Sequence, residues 1–117
     1  MVKIEQSNGT ISITNEVFTN LAGDAATSCF GVKGMVGRSK DSGPFQLLRR
    51  ESMSKGVKVI NHEDGAVTIE LHIIVDNGVN LTEISRSIMN RVQYDVTRLT
   101  GVEVRSVNVC IDSMVIG

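Results

Sequence analysis

Hydrophobic and polar positions alternate in some parts of the chain and recur at helical spacing in others. From Thr10 to Thr14, Ile11 and Ile13 alternate with polar neighbours, which predicts a short strand. Thr14 and Asn15 then offer an N-cap, and Val17, Leu21, Ala25 and Cys29 follow at four-residue steps with Phe18 and Ala22 beside them. This stripe predicts a helix that Gly31 stops. Val32 to Val36 reads as a second strand. Gly37 to Pro44 is a polar loop holding the only proline, and Phe45 to Met53 has the spacing of a short helix.

The second half is more regular. Val57–Ile60 and Ala66–Val75 read as strands joined through Asp64-Gly65, a hairpin signal. Val67, Ile69, Leu71, Ile73 and Val75 line one face of the longer strand, and Thr68, Glu70, His72 and Ile74 the other. Asn77-Gly78 ends it. Asn80 and Glu83 form a capping box, and Leu81, Ile84, Ile88, Val92, Val96 and Leu99 make the apolar stripe of a helix of about five turns closed by Gly101. Val102 to Ile111 is the last strand. Val107, Val109 and Ile111 point one way, with Asn108, Cys110 and Asp112 the other. The predicted class is α+β: a mixed β-sheet with two main helices packed on one face, in the order β-α-β-(α)-β-β-α-β. Strand–helix–strand crossovers in it are expected to be parallel.

Composition narrows the function. The 117 residues suit one domain, 1–117, and 41% hydrophobic residues are enough for a core. Aromatics are 3%, so Val, Ile, Leu, Ala and Met build that core. A net charge of −1 gives no whole-chain pull toward nucleic acid or acidic lipid. No apolar run reaches the roughly 20 residues of a membrane span, and Met1 to Thr10 lacks the apolar segment of a signal peptide, so a cytoplasmic protein is expected. Cys29 and Cys110 share no metal-type spacing and read as small core hydrophobes.

Candidate chemistry is sparse. Gly31-Val32-Lys33-Gly34 is a GxxG, a spacing that clamps nucleic-acid backbone in KH domains, but no basic patch accompanies it and a helix stop is the plainer reading. His72, Glu70 and Asp76 share a strand face, and Asn108, Cys110 and Asp112 beside them would make a Cys–His pair or metal site conceivable. A solvated polar face is the favoured alternative. His62, next to Glu63 and Asp64, reads as a turn residue. Arg49, Arg50 and Lys55, with Arg38 and Lys40 upstream, form a basic stretch suited to phosphate, anionic lipid or an acidic partner, or simply to solvent; Arg86, Arg91 and Arg98 read as a solvated helix face. Ile74, with Met114, Val115 and Ile116, is apolar where solvent is expected and marks either a partner surface or a core cap. No catalytic residue, cofactor or metal ligand set is assigned. The partner-binding candidates are Arg49, Arg50, Lys55, Ile74, Met114 and Ile116.

Four segments carry a resemblance: Phe30-Gly31-Val32-Lys33-Gly34-Met35, Ser54-Lys55-Gly56-Val57-Lys58-Val59, Ile69 to Val79 with Asp76-Asn77-Gly78-Val79, and Thr100-Gly101-Val102-Glu103-Val104 leading to Val107-Asn108-Val109. In this order they resemble the alkaline-shock (general stress) protein family of Gram-positive bacteria, in its short, single-domain YloU-like branch. Asn77 departs from the aromatic usual before the glycine, and Ser28-Cys29-Phe30 from a commonly acidic helix end. The resemblance implies a non-enzymatic cytoplasmic protein linked to envelope stress. It also implies self-assembly, a protein partner such as a membrane anchor, and a neighbouring dihydroxyacetone- or fatty-acid-kinase-like protein. Two other functions compete with a self-associating scaffold: a binder of an acyl or phosphate-bearing small molecule, and an RNA-binding module using the GxxG.

Overall fold

The structure, a computed structural model, describes residues 1–29, 31–35 and 56–115. The predicted loop Gly37–Pro44 and short helix Phe45–Met53 lie outside them. Among the described residues six strands and two helices follow in order: β1 (Val2–Gln6), β2 (Gly9–Ile13), α1 (Asn15–Thr27), β3 (Val32–Met35), β4 (Val57–Asn61), β5 (Val67–Asp76), α2 (Leu81–Thr100) and β6 (Val104–Val115). The α+β class and the element order are as expected.

Strand β5 is the axis of the main sheet. It is buried on one face throughout, because Val67, Ile69, Leu71, Ile73 and Val75 alternate with more polar residues. On one edge it pairs antiparallel with two short strands set end to end. Here β4 covers Val67 to Leu71 and β3 covers Ile73 to Val75. On the other edge β6 runs parallel to it over the full length, from Val67 to Asp76. The β5–α2–β6 crossover is thus parallel, as a crossover through a helix requires.

One expectation fails here. The crossover from the first predicted strand through α1 does not enter the main sheet. β2 instead pairs antiparallel with β1 in a separate two-stranded ribbon, with Val2 opposite Ile13 and Ile4 opposite Ile11. The alternation of Val2 and Ile4 and the Asn8-Gly9 turn pair are a hairpin signal that the sequence reading missed. The ribbon is anchored by Val2, which is buried in the core, and by Ile4 and Ile13, which pack against it.

Both helices lie over the buried face of β5. Helix α2 matches its prediction closely. Asn80 caps it, its side-chain oxygen accepting from the Glu83 N–H at 3.0 Å. Gly101 ends it at φ 75°, donating its N–H to the Thr97 carbonyl. Ile84, Ile88, Val92 and Val96 are buried, whereas Leu81 and Leu99 at the two ends of the stripe are exposed. Burying each of those four side chains is worth about 1.5–3 kcal/mol, so packing rather than propensity holds this helix.

Helix α1 is rotated from its predicted face. Phe18, Ala22, Ala25 and Ala26 are buried, Leu21 and Cys29 are partly so, and Val17 is exposed. The reason is steric: Phe18 fills the core, and the small side chains of Ala22, Ala25 and Ala26 let the helix sit close. Thr14 occupies the N-cap position but makes no side-chain cap; its carbonyl accepts from the Val17 N–H.

Candidate functional site

Among the described residues two surfaces carry candidate features: the face of the sheet away from the helices, and the flank formed by β6 and α2. The first carries the sequence candidates around His72. Successive strand residues point to opposite faces, so Thr68, Glu70, His72, Ile74 and Asp76 line the open side of β5. Register with β6 sets Asn108 beside Glu70 and Cys110 beside His72.

Asp112 reaches the same cluster through a break in the ladder. Ile73 pairs with Ile111 and Ile74 with Ser113, so Asp112 is the extra residue of a bulge. Its Oδ2 lies 3.0 Å from His72 Nδ1, while Glu70 Oε1 lies 3.2 Å from His72 Nε2. Each ring nitrogen thus faces a carboxylate, first Glu70 and then Asp112 in strength, and this raises the histidine's pKa above its ordinary value. The two contacts orient the ring between β5 and β6. Among the described residues no group of three His, Cys, Asp or Glu side chains is arranged to hold a metal ion. The cluster ties β5 to β6 across the open face.

The other sequence candidates fall as follows. His62 closes the β4–β5 turn, its Nε2 lying 2.7 Å from Thr68 Oγ1. Gly31-Val32-Lys33-Gly34 forms the entry to β3, with Gly31 at φ 93° and its carbonyl accepting from the Asp76 N–H at 2.8 Å. It is a strand start, not a loop that could clamp a backbone. Arg91 pairs with Asp95 one turn on at 2.9 Å, and Arg98 stacks 5.7 Å above the Tyr94 ring. Burial pushes the Cys29 thiol pKa up, the behaviour of a structural cysteine.

Ile74 and Met114 separate. Met114 lies opposite Val75 and packs against the core, because the Asp112 bulge shifts the alternation by one residue. Ile74 stays half-buried on the open face, opposite Ser113. Arg49, Arg50, Lys55 and Ile116 lie outside the described residues.

The second surface was not singled out from sequence. Helix α2 runs back along β6, so its first turns stand over the end of the strand and its last turns over the start. Leu81, Thr82, Ser85, Arg86 and Met89 share a groove with Ile111. Further along, Tyr94, Thr97, Arg98, Glu103 and Val104 border an open cleft of about 780 Å³. The Gln93 side chain donates to the Val104 carbonyl at 3.0 Å. Among the described residues β6 pairs with no strand on its outer edge. A period-based reading cannot find this surface, since the face of α2 that borders it is a mixture of Leu81, Met89 and polar residues.

Comparison with known proteins accounts for nearly all of the chain. The family model for the alkaline shock protein 23 family, cell envelope-related function, matches residues 3–116. The chain is 32% identical over 114 residues to the uncharacterized protein YloU of Bacillus subtilis (strain 168), spanning 97% of this chain and 94% of that one. It is likewise 32% identical over 114 residues to the uncharacterized protein Spy1614 of Streptococcus pyogenes serotype M6, covering 97% and 93% of the two chains. A second protein of that organism, Spy1535, is 26% identical over 107 residues, 92% of this chain and 80% of its own. No solved structure matches. With both a family model and two relatives extending across almost its entire length, this chain belongs to the alkaline-shock family.

Proposed function

We propose that this chain is a non-catalytic interaction protein of the cytoplasm, serving the cell envelope under stress by associating with itself and with a protein partner held at the membrane. The observation that carries this reading is the β6–α2 flank. It joins a twelve-residue strand without an outer neighbour among the described residues to the exposed side chains of Leu81 and Met89. Unpaired strand edges and exposed apolar groups are the features by which folded domains join one another. The family's cell-envelope role supports the setting. Arg49, Arg50, Lys55, Ile74, Met114 and Ile116 are proposed as partner contacts within this reading.

In-cell crosslinking followed by mass spectrometry tests it. Crosslinks between two copies of the chain, together with crosslinks to one membrane-anchored protein, are expected. A chain recovered only as an uncrosslinked monomer, or turnover of a small molecule by the purified protein, overturns the reading.

A further inference from the structure

The outer edge of β6 has a symmetry of its own. Two bulges interrupt its alternation. Val67 pairs with Val104 and Thr68 with Ser106, leaving Arg105 as the extra residue; Asp112 is the second. Each bulge consumes one position, so the residues turned toward the helices are Val104, Val107, Val109, Ile111 and Met114. They lie five and two residues before Val109 and two and five residues after it. Their environment is apolar: Val104 and Val107 are buried, and Val109, Ile111 and Met114 pack against the core. A strand that reads alike in both directions from its centre matches an antiparallel copy of itself.

We propose that β6 seats a second copy of this chain, antiparallel about a two-fold axis at Val109, so that two main sheets join into one. The inference rests on the self-association proposed above and names its surface. Such an interface places the same patch on both sides, and the patch must therefore be self-complementary. Two features meet that demand. The apolar positions coincide: Val104 falls opposite Met114, Val107 opposite Ile111, and Val109 opposite itself. The charges complement. Arg105 and Asp112 are the only Arg, Lys, Asp or Glu side chains of β6, and they stand on opposite sides of Val109, four and three residues away. Within one chain Arg105 pairs with Asp64, and Asp112 with His72; antiparallel pairing brings each Arg105 next to Asp112 of the other copy as well, twice per pair.

Helix α2 adds area to the joint. Leu81 and Met89, 39% and 37% exposed, stand in one groove with Ile111 and flank the strand edge that the second copy would occupy. Long unpaired edges invite uncontrolled association, and bulges and charges are the usual restraints. In β6 both restraints sit near the ends of the strand and leave the segment from Ser106 to Ile111 open, which suits a pairing of limited length and fixed register.

Sedimentation equilibrium of the full chain over a range from low micromolar to millimolar concentration tests the proposal, with thermal unfolding confirming that each variant is folded. The expected result for the native chain is a monomer–dimer equilibrium. Met89→Asp, a change at an exposed site, is expected to weaken it at least tenfold. Arg105→Asp and Asp112→Arg, each placing like charges side by side across the joint, are expected to weaken it several-fold. Their combination in one chain is expected to return it toward the native value, since the charges are again opposite. A chain that dimerises with no response to Met89→Asp or to the charge exchange overturns this surface and leaves self-association standing. A chain that stays monomeric at millimolar concentration overturns both.

Discussion

Strands β5 and β6 lie side by side, run parallel and carry the same kind of residues, yet they are packed very differently. The core-facing side chains of β5 are all sealed from solvent: Val67, Ile69, Leu71, Ile73 and Val75 are 0% exposed. Those of β6 grade outward, from buried Val104 and Val107 to half-buried Val109, Ile111 and Met114. The difference arises from neighbours. β5 has strands on both edges, whereas β6 has a strand on one edge among the described residues. The same valine or isoleucine therefore contributes a full burial term in one strand and a partial term in the other.

Truncation gives the largest effect and tests the comparison directly. Ile73→Ala removes fully buried methyl groups and should cost about 2–5 kcal/mol in urea unfolding. Ile111→Ala, directly beside it in register, should cost less than half as much in the dilute protein. Equal costs would break the comparison. If β6 pairs with a second copy, the penalty at Ile111 should grow with protein concentration while that at Ile73 stays constant, because only Ile111 gains burial on association.

Gly31 marks the opposite border of β5, where β3 joins it. Its φ of 93° is one that side chains avoid, and an added Cβ would meet Ile84 Cδ1 at 2.7 Å and Val79 Cγ1 at 3.0 Å. Gly31→Ala should therefore cost about 2 kcal/mol or more, combining backbone strain with the shift that the Ile84 and Val79 side chains must make. Gly65 has the same φ of 93° but open space around it, so Gly65→Ala isolates the backbone part at about 1 kcal/mol. A Gly31→Ala penalty no larger than that of Gly65→Ala would show that the Ile84 and Val79 side chains yield freely at this contact. Below these in size, Asn80→Ala removes the cap of α2 and should cost about 1 kcal/mol.

What the sequence disclosed follows the range of the interactions. Helix α2 was legible throughout, since the Asn80 cap, the stripe from Ile84 to Val96 and the Gly101 stop are each set within a few residues. The β4–β5 hairpin was legible for the same reason. The face of α1 was not, because Val17 and Phe18 are both apolar and only the shape of the core decides which turns inward. The bulges at Arg105 and Asp112 were hidden as well. They exist by virtue of pairing with β5, and they move Met114 from the open face to the core. The open-face cluster was partly visible: alternation placed Glu70, His72 and Asp112 on one side, but only register shows the histidine bridging both acids. The β6–α2 flank was invisible because an unpaired edge is a property of sheet order, which no local pattern encodes.

That bridge gives the smallest effect and the one most specific to how β6 is fastened to β5. Glu70, then Asp112, favour the charged ring, so the His72 pKa is higher in the folded chain than in the unfolded one. A raised pKa means that the folded state binds the proton more tightly. The resulting stability is complete below the unfolded value of about 6.5 and is lost as pH rises through the folded value. Asp76 and Lys58 also belong to this side of the sheet, Lys58 standing opposite Glu70 on β4. His72 is about a third exposed, so solvent screening limits the bridge to less than about 1 kcal/mol. The stability difference between the native chain and His72→Gln, taken from urea midpoints, should accordingly be larger at pH 6 than at pH 9. Salt should diminish it at pH 6 and leave it unchanged at pH 9. A difference constant across that range would mean that the contacts of His72 with Glu70 and Asp112 act through packing alone, and that β6 is held to β5 only by its backbone ladder and its inner face.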